Sequence, residues 1–438
     1  MTTSPPASAQ QKNRLGILVG GGPAPGINSV IGAATIRACL SGYEVLGIQE
    51  GFKWLMEGDT SRVTPLGISE TSRIHFRGGS TIGISRANPT KDPKLLEKCL
   101  ATLRAHGISC LVTIGGDDTA YSAYRLGQIS GGQIRVVHVP KTIDNDLDLP
   151  HHVNTFGYLT ARSVGVGIVH NLMTDAKTTN RWYFVIAMGR KAGHLALGIG
   201  KAVGATLTLI PEELVRHEHR RLKTISDILA GAIIKRLAQG RQHGVAVLAE
   251  GLVEQLPESD LADLKDVERD EHGHVRIAEI DFGNIVKAAV QKRLLSLGVK
   301  PTIVAKNIGY ELRCADPTPS DLEYTRDLGY CASRYVIEGG TNALVAMVHG
   351  HFRPIPFNDI MDAKTGRMRV RMVDIDSERY RIARTYMLRL RREDLADAAE
   401  MERLAKVVKL TPEQFREEFK DVFDSDLEPI RSLTVPPP

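Results

Sequence analysis

Seven consecutive residues, Pro140-Lys141-Thr142-Ile143-Asp144-Asn145-Asp146, put a cation, a hydroxyl and two carboxylates at the end of an apolar run. Transfer of a phosphoryl group to an alcohol needs a base beside the hydroxyl, positive charge on the moving group and a carboxylate near a metal. All of these are present. A second segment, Ile114-Gly115-Gly116-Asp117-Asp118-Thr119, also closes an apolar run and sets two adjacent carboxylates on a glycine turn. Adjacent like charges repel, so burial of both requires a metal or a cationic neighbour. One of the pair could hold Mg2+ directly or through water while the other faces elsewhere. Taken alone, the same aspartates serve equally well as helix N-caps. Together the two segments read as parts of one phosphate-handling site.

Other chemistry-bearing residues recur after apolar runs. Gly20-Gly21-Gly22-Pro23-Ala24-Pro25-Gly26-Ile27-Asn28 leads from a strand pattern into a helix pattern, where glycines let the backbone approach phosphate oxygens and a helix start adds oriented N–H groups. It is not G-x-G-x-x-G, because three residues separate Gly22 from Gly26, and not a P-loop, because Ile27 stands where Lys is required. A tight strand-to-helix turn therefore remains open for this loop. Arg77-Gly78-Gly79-Ser80 with Arg86 is a basic Gly/Ser turn. Met188-Gly189-Arg190, Glu250-Gly251 and the stretch from Lys306 through Tyr310 to Arg313 offer cations for phosphate and a carboxylate for a sugar hydroxyl. His194, beside Gly193, reads as structural.

Besides Ala343 to Val348, which after Gly339-Gly340-Thr341-Asn342 looks like a further turn and apolar element, the elements that must position these residues are apolar runs at Leu15 to Val19, Cys110 to Ile114, Ile134 to Val139, Tyr183 to Met188, Gly244 to Ala249 and Thr302 to Ile308. Their length and β-branched content predict buried strands. Helical patterns lie between several of them, at Asn28 to Leu40 and at Pro93 to His106. Alternation of this kind predicts parallel sheets covered on both faces, with ligands outside the carboxyl ends of the strands. The expected fold is α/β, with two Rossmann-like lobes, mostly parallel sheets and an active-site cleft between them. The first lobe should span 14–155 and regain about 311–376; the second should span 156–310. The charged stretch at 377–438 should form a helical C-terminal extension with surface helices such as Met387 to Lys409, and 1–13 a loose tail.

Composition narrows the class further. Lys plus Arg number 56 against 51 Asp plus Glu, an excess too small and too spread out to suggest nucleic acid. The one basic cluster, Arg216-His217-Glu218-His219-Arg220-Arg221, reads as a solvated helix face. The five cysteines, Cys39, Cys99, Cys110, Cys314 and Cys331, include no C-x-x-C pair, so free thiols are expected rather than a disulfide framework or a zinc site. Met1 to Lys12 has no apolar stretch of a secretory kind, and no apolar run approaches ~18 residues, so a cytoplasmic protein without membrane contact is expected.

In order along the chain, G-G-x-A-P-G-x-N, R-G-G followed by Arg86, G-G-D, P-x-T-I-D-N-D, M-G-R and E-G resemble the phosphofructokinase family from about Leu15 to about Val348. The resemblance implies that Asp144 is the base for the sugar 1-hydroxyl and that Asp117 is the Mg2+-associated carboxylate. Thr142 and Asp146 match neighbours of the moving phosphoryl group. Gly22, Arg86, Gly116, Asp118 and Lys141 match the donor side. Met188, Gly189, Arg190, Glu250 and Lys306 match the sugar-phosphate side, with Arg190 also stabilising transition-state charge. Arg313 matches a residue that holds the 6-phosphate, and Tyr310 stands where bacterial ATP-dependent members have His. Arg181 matches a residue that reaches a neighbouring subunit's site, which implies a homodimer or higher homo-oligomer.

Departures from the ATP-dependent pattern bear on the donor. Those members have Gly where this chain has Asp118, and Asp where it has Pro23. A carboxylate at 118 would stand near the nucleotide's α-phosphate, and like unit charges ~4 Å apart at an effective dielectric of ~20 cost roughly 4 kcal/mol, about a thousandfold in binding. Lys141, where bacterial ATP enzymes carry Gly, adds a point charge suited to pyrophosphate. Asp118 with Lys141 therefore resembles the pyrophosphate-dependent subgroup, which implies phosphorylation of fructose 6-phosphate by pyrophosphate. Two alternatives are an ATP-dependent kinase of the same fold and a non-catalytic sugar-phosphate-binding subunit. Intact Asp117, Asp144, Arg190 and Glu250 speak against the second.

Overall fold

Leu15, Ile17, Leu18 and Val19 are all fully buried, as are Cys110, Leu111, Val112 and Ile114. Strands apolar on both faces in this way belong inside a parallel sheet. A computed structural model of the protein describes residues 13–150, 153–215, 221–262, 280–362 and 368–426. The expected N-terminal tail falls almost wholly outside the described residues, as do the basic cluster up to Arg220 and Pro436 to Pro438.

In chain order the strands are β1 (Arg14–Val19), β2 (Glu44–Ile48), β3 (Val63–Leu66), β4 (Ile108–Gly115), β5 (Arg135–Pro140), β6 (Trp182–Ala187), β7 (Leu207–Leu209), β8 (Gly244–Ala249), β9 (Ile303–Ile308), β10 (Ala343–Val348) and β11 (His351–Pro356). The chain divides into two compact units. Unit 1 comprises 1–161 and 311–371, and unit 2 comprises 162–310 and 372–438.

Unit 1 holds a seven-stranded sheet in the order β11-β10-β5-β4-β1-β2-β3. Its five inner strands are parallel, while β3 and β11 run antiparallel at the two edges. Both edge strands carry proline, Pro65 in β3 and Pro354 and Pro356 in β11. Proline cannot donate to a ladder and so is tolerated at an edge, where it also discourages pairing with another chain. From β1 the chain pairs outward to β2 and then crosses to β4 on the other side. That reversal of direction is where α/β sheets bind ligands.

Unit 2 is built on a fully parallel four-stranded sheet, β7-β8-β6-β9. Trp182 and Phe184 of β6 pack into a core with Ile228, Leu229 and Ile233 of the helix Leu222–Ala238. The C-terminal segment contributes Phe415, Phe419 and Phe423 to that same core, so it is an integral part of unit 2 rather than a separate extension. Its helices at Glu378–Thr385 and Ala398–Val407, with a 3-10 turn at Arg392–Ala396 between them, are not purely surface elements, because they bury Ala383, Met401 and Leu404 in that core. The reason is periodicity. The three phenylalanines recur every four residues on one side while the charges occupy the other, so overall composition disguises a core-forming face.

A buried ion cluster fixes this segment in place. Glu213 accepts the Tyr380 hydroxyl at 2.6 Å and pairs with Arg389 at 2.7 Å and Arg384 at 3.5 Å. Burial alone would raise its carboxyl, but the Arg389 and Arg384 guanidiniums prevail and hold it down at about 2. No helix among the described residues is long and apolar enough to cross a membrane, and all five cysteines are free thiols.

Removing one partner of a buried ion pair costs about 3–5 kcal/mol, so Glu213→Gln is expected to destabilise unit 2 by that order at pH 7. A carboxylate whose folded pKa lies below its unfolded value stabilises fully above the unfolded pKa and loses that contribution as pH falls through the folded one. For Glu213 the window runs from 4.5 down to about 2. Denaturant unfolding should show the gap between wild type and Glu213→Gln narrowing below pH 4.5.

Candidate functional site

In unit 1, three parallel strand ends bring the donor-side segments together. The Gly20 N–H donates to Ile114 O at 2.9 Å, joining the end of β1 to β4, and the Lys141 N–H donates to Gly115 O at 2.7 Å, joining β5 to β4. Lys141 is buried, and its ammonium donates to the Gly22 carbonyl. A Cβ placed on Gly21 would stand 3.3 Å from Lys141 Nζ, and one on Gly22 would stand 3.2 Å from Arg313 Nη1. Two cations therefore flank the first glycine loop.

That arrangement alters the expected role of the loop. The amides of Gly20 and Gly21 are already committed within the fold, the latter to Ser85 O at 2.9 Å, so positive charge comes from Lys141 and Arg313 more than from a row of amides. Arg313, which the family resemblance assigns to the 6-phosphate, lies within unit 1 at this loop, because the chain re-enters unit 1 at Glu311. Arg86 is exposed and follows Ser85, whose backbone bridges Gly20. Asn28 holds the Arg77–Gly79 turn nearby: its amide donates to the carbonyls of Arg77 and Gly78 and its oxygen accepts the Thr81 N–H.

Asp117 and Asp118 open the helix Asp117–Ile129, whose N-cap is Gly116. Neither aspartate is the cap. Both sit in the first turn, where negative charge is favoured by the helix dipole. Asp117 is half-buried and Asp118 exposed, so the pair is not buried together and the repulsion between them is relieved by solvent. Among the described residues no three His, Cys, Asp or Glu side chains form a ready cage for a metal. Mg2+ does not require one, since it is commonly held by one or two carboxylates plus substrate phosphates and water. A half-buried Asp117 next to Gly116, close to the cation-flanked glycine loop, fits that pattern.

Beneath this turn lies His138, fully buried on β5. Its Nε2 is 3.0 Å from Gly115 O and its Nδ1 2.8 Å from the Thr113 hydroxyl. A carbonyl only accepts, so Nε2 carries the proton and Nδ1 accepts from Thr113. Burial pushes the imidazole down to about 3, so it stays neutral and its tautomer fixed. Nothing in the local sequence marks His138 as part of the site.

The turn from Thr142 to Asp146 is held by its own polar atoms. The Asp144 N–H donates to the Thr142 hydroxyl oxygen at 3.0 Å, and Thr142 O accepts the Thr155 hydroxyl at 2.7 Å. Asn145 takes the left-handed conformation with φ 57°, and its Oδ1 accepts the Thr155 N–H at 3.0 Å. Asp144 and Asn145 are buried; Thr142 and Asp146 are half-buried.

In unit 2 the ends of β6, β8 and β9 gather most of the sugar-side residues. Glu250 accepts the Gly189 N–H at 3.2 Å, and the Met188 N–H donates to Ile308 O at 3.0 Å. Arg190 is exposed with φ 48°, a conformation uncommon outside glycine and asparagine. Glu212 holds the far end of this loop by accepting the Gly193 N–H, and its same oxygen accepts the Val373 N–H, both at 2.9 Å. Lys306 is exposed on the edge strand β9, paired in register with Val185, and Tyr310 is exposed just beyond it. Arg181 is the exception. It precedes β6, about 23 Å of extended chain from Met188 at ~3.3 Å per residue, and lies 3.9 Å from Asp175.

A Cβ on Gly251 would stand 2.1 Å from Arg190 O, too close for any side chain. Gly251→Ala should displace the Arg190 loop. With overpacking worth about 1–3 kcal/mol, the KM for a sugar phosphate is expected to rise roughly tenfold while the KM for the phosphoryl donor stays put. Steady-state kinetics with each substrate varied in turn tests this.

The phosphofructokinase family model matches residues 14–336. The chain is 52% identical over 411 residues to the pyrophosphate–fructose 6-phosphate 1-phosphotransferase of Thermotoga maritima, covering 93% of this chain and 98% of that one. It is 47% identical over 414 residues to the protein of the same name from Naegleria fowleri, covering 93% and 95% respectively. The crystal structure of a pyrophosphate-dependent phosphofructokinase from Marinobacter aquaeolei matches with a TM-score of 0.64 and 17% identity, over 86% of this chain and 90% of that one, a likeness of fold. On the strength of the family match and of these relatives, the chain belongs to the phosphofructokinase family.

Proposed function

We propose that the protein transfers a phosphoryl group from pyrophosphate to the 1-hydroxyl of fructose 6-phosphate, giving fructose 1,6-bisphosphate and phosphate in a reversible reaction. The observation that carries this reading is the buried Lys141 ammonium held against Gly21 and Gly22. A compact point charge at that loop matches the charge density of a small inorganic donor. Relatives named for this activity, alike over nearly their whole length, support the same donor.

In the proposed reaction Asp144 accepts the proton of the 1-hydroxyl as the new O–P bond forms and the bridging P–O bond of pyrophosphate breaks. The bridging oxygen leaves with the departing phosphate. Lys141 offsets negative charge on the donor, Arg313 holds the 6-phosphate of the sugar, and Arg190 offsets the charge that develops on the moving group. Thr142 and Asp146 flank that group. Glu250 receives a sugar hydroxyl and, through the Gly189 N–H, orients the Met188–Arg190 loop. Asp117 would hold Mg2+, which when bound supplies charge neutralisation on the donor oxygens.

Purified protein with Mg2+ should turn over with pyrophosphate and not with ATP; turnover with ATP alone would overturn the donor assignment. Loss of a charged hydrogen-bonding group costs about 1.5–3 kcal/mol, so Lys141→Met should raise the KM for pyrophosphate about 10- to 100-fold and leave that for fructose 6-phosphate within about twofold.

Arg181 lies at the opposite end of β6 from the loop it is expected to serve, which supports a second copy of the chain as the one whose sugar phosphate it holds. A homodimer or higher homo-oligomer follows. Arg181→Ala and Glu250→Ala, each weakly active alone, should regain turnover when unfolded and refolded together, because hybrid assemblies contain a site with both residues intact. No gain on mixing would separate Arg181 from the neighbouring site.

A further inference from the structure

Residue 371 lies 226 residues beyond Asn145 in the chain, yet it supplies the densest set of contacts to the proposed base-bearing turn. Arg371 Nη2 donates to Asn145 Oδ1 at 2.6 Å and to Asn145 O at 3.1 Å, and Nε to that same carbonyl at 3.3 Å. Its Nη1 reaches Val153 O at 2.9 Å and Leu149 O at 3.4 Å. The backbone joins in as well: the Arg371 N–H donates to Asp146 O at 2.7 Å, and Val370 next to it bridges Leu147. One guanidinium thus spans both ends of the segment that follows Asp144.

The fixed fork of arginine is what makes this possible. Its five N–H groups point in set directions across a plane, whereas a lysine ammonium offers three donors at one point and cannot reach Asn145 and Val153 together. Asparagine tolerates the left-handed region better than other side chains, so Asn145 sits there at small cost, and the bonds to its Oδ1 and its carbonyl confine it to that one conformation. If Asn145 relaxed to negative φ, the peptide on its N-terminal side would rotate and carry the Asp144 carboxylate with it.

We infer that Arg371 is a positioning residue for proton abstraction: it locks Asn145 in the conformation that aims Asp144 at the sugar hydroxyl. This rests on the assignment of Asp144 as the base. A misplacement of about 1 Å in a reacting group costs about a hundredfold in rate, so the effect belongs in kcat. The KM values for fructose 6-phosphate and pyrophosphate should move less than about threefold, since Arg371 acts through Asn145 rather than as a binding residue.

The test is a double-mutant cycle on the full-length protein with Arg371→Met, Arg371→Lys and Asp144→Ser, each checked for its thermal midpoint. Arg371→Met should lower kcat roughly 100-fold with KM nearly constant, and millimolar guanidinium, far below denaturing levels, should restore part of the loss. Arg371→Lys, which keeps charge without the fork, should lose more than tenfold and gain nothing from guanidinium; should Arg371→Met fail to fold, this variant carries the kcat measurement alone. In the Asp144→Ser background the same change should cost less than about threefold further, because a group acting through Asp144 has nothing left to position. Costs that multiply, a kcat unchanged in either Arg371 variant, or a loss confined to KM would each overturn the inference. Asp144→Ser that turns over like wild type would instead remove the base assignment itself, and is separable because it needs no change at Arg371.

Discussion

The carbonyl of Gly115 accepts two hydrogen bonds, from the Lys141 N–H and from His138 Nε2, and the donor half of the site is placed relative to it. Through the first bond β5 is held level with the end of β4, so that Lys141 emerges where its ammonium meets the Gly22 carbonyl. Through the second, a neutral imidazole locked by Thr113 stops the Gly115–Asp117 turn from rotating. Neither bond would form if β4 and β5 slipped by one residue, since a slip turns every side chain to the other face. The chemistry of the loops therefore rests on the register of two buried strands.

Charge in unit 1 is distributed by exposure. Lys141 is buried and fixed, so its field acts at close range with little screening; Asp118 is exposed, and its repulsion of a bulkier anion is softened by water. At short range the field of the buried cation is therefore the stronger of the two. Asp117 stands between these extremes.

Strands buried on both faces are legible as apolar runs: β1, β4, β5, β6, β8 and β9 all fall where the sequence suggests strands, and β10 where it suggests a further apolar element. The others escaped for identifiable reasons. β7 has only three residues, β3 and β11 carry prolines that disguise an edge strand, and β2 alternates in burial over five residues. At the site, side chains that do chemistry within a glycine-rich motif announced themselves by type. Residues that hold those motifs in place did not. His138 sits inside a strand pattern, Glu212 follows an ordinary Ile-Pro pair, and Arg371 lies in a charged stretch far from any motif. Their roles arise from contacts across dozens to hundreds of positions, which periodicity and spacing cannot register. The C-terminal phenylalanines were overlooked for the opposite reason, since the surrounding charge outweighs three residues in any average.

The separation between Asn145 and Arg371 also has a meaning in time. Ribosomes add about 5–20 residues per second, so the 226 residues between them take on the order of 11–45 seconds to make. The strand β10, which completes the sheet beside β5, is likewise late to arrive. By the end of that interval a nascent chain contains every motif residue through Arg313, but still lacks the clamp on the turn that bears Asp144. The fold thereby assigns completion of its most exacting geometry to one of the last segments synthesised.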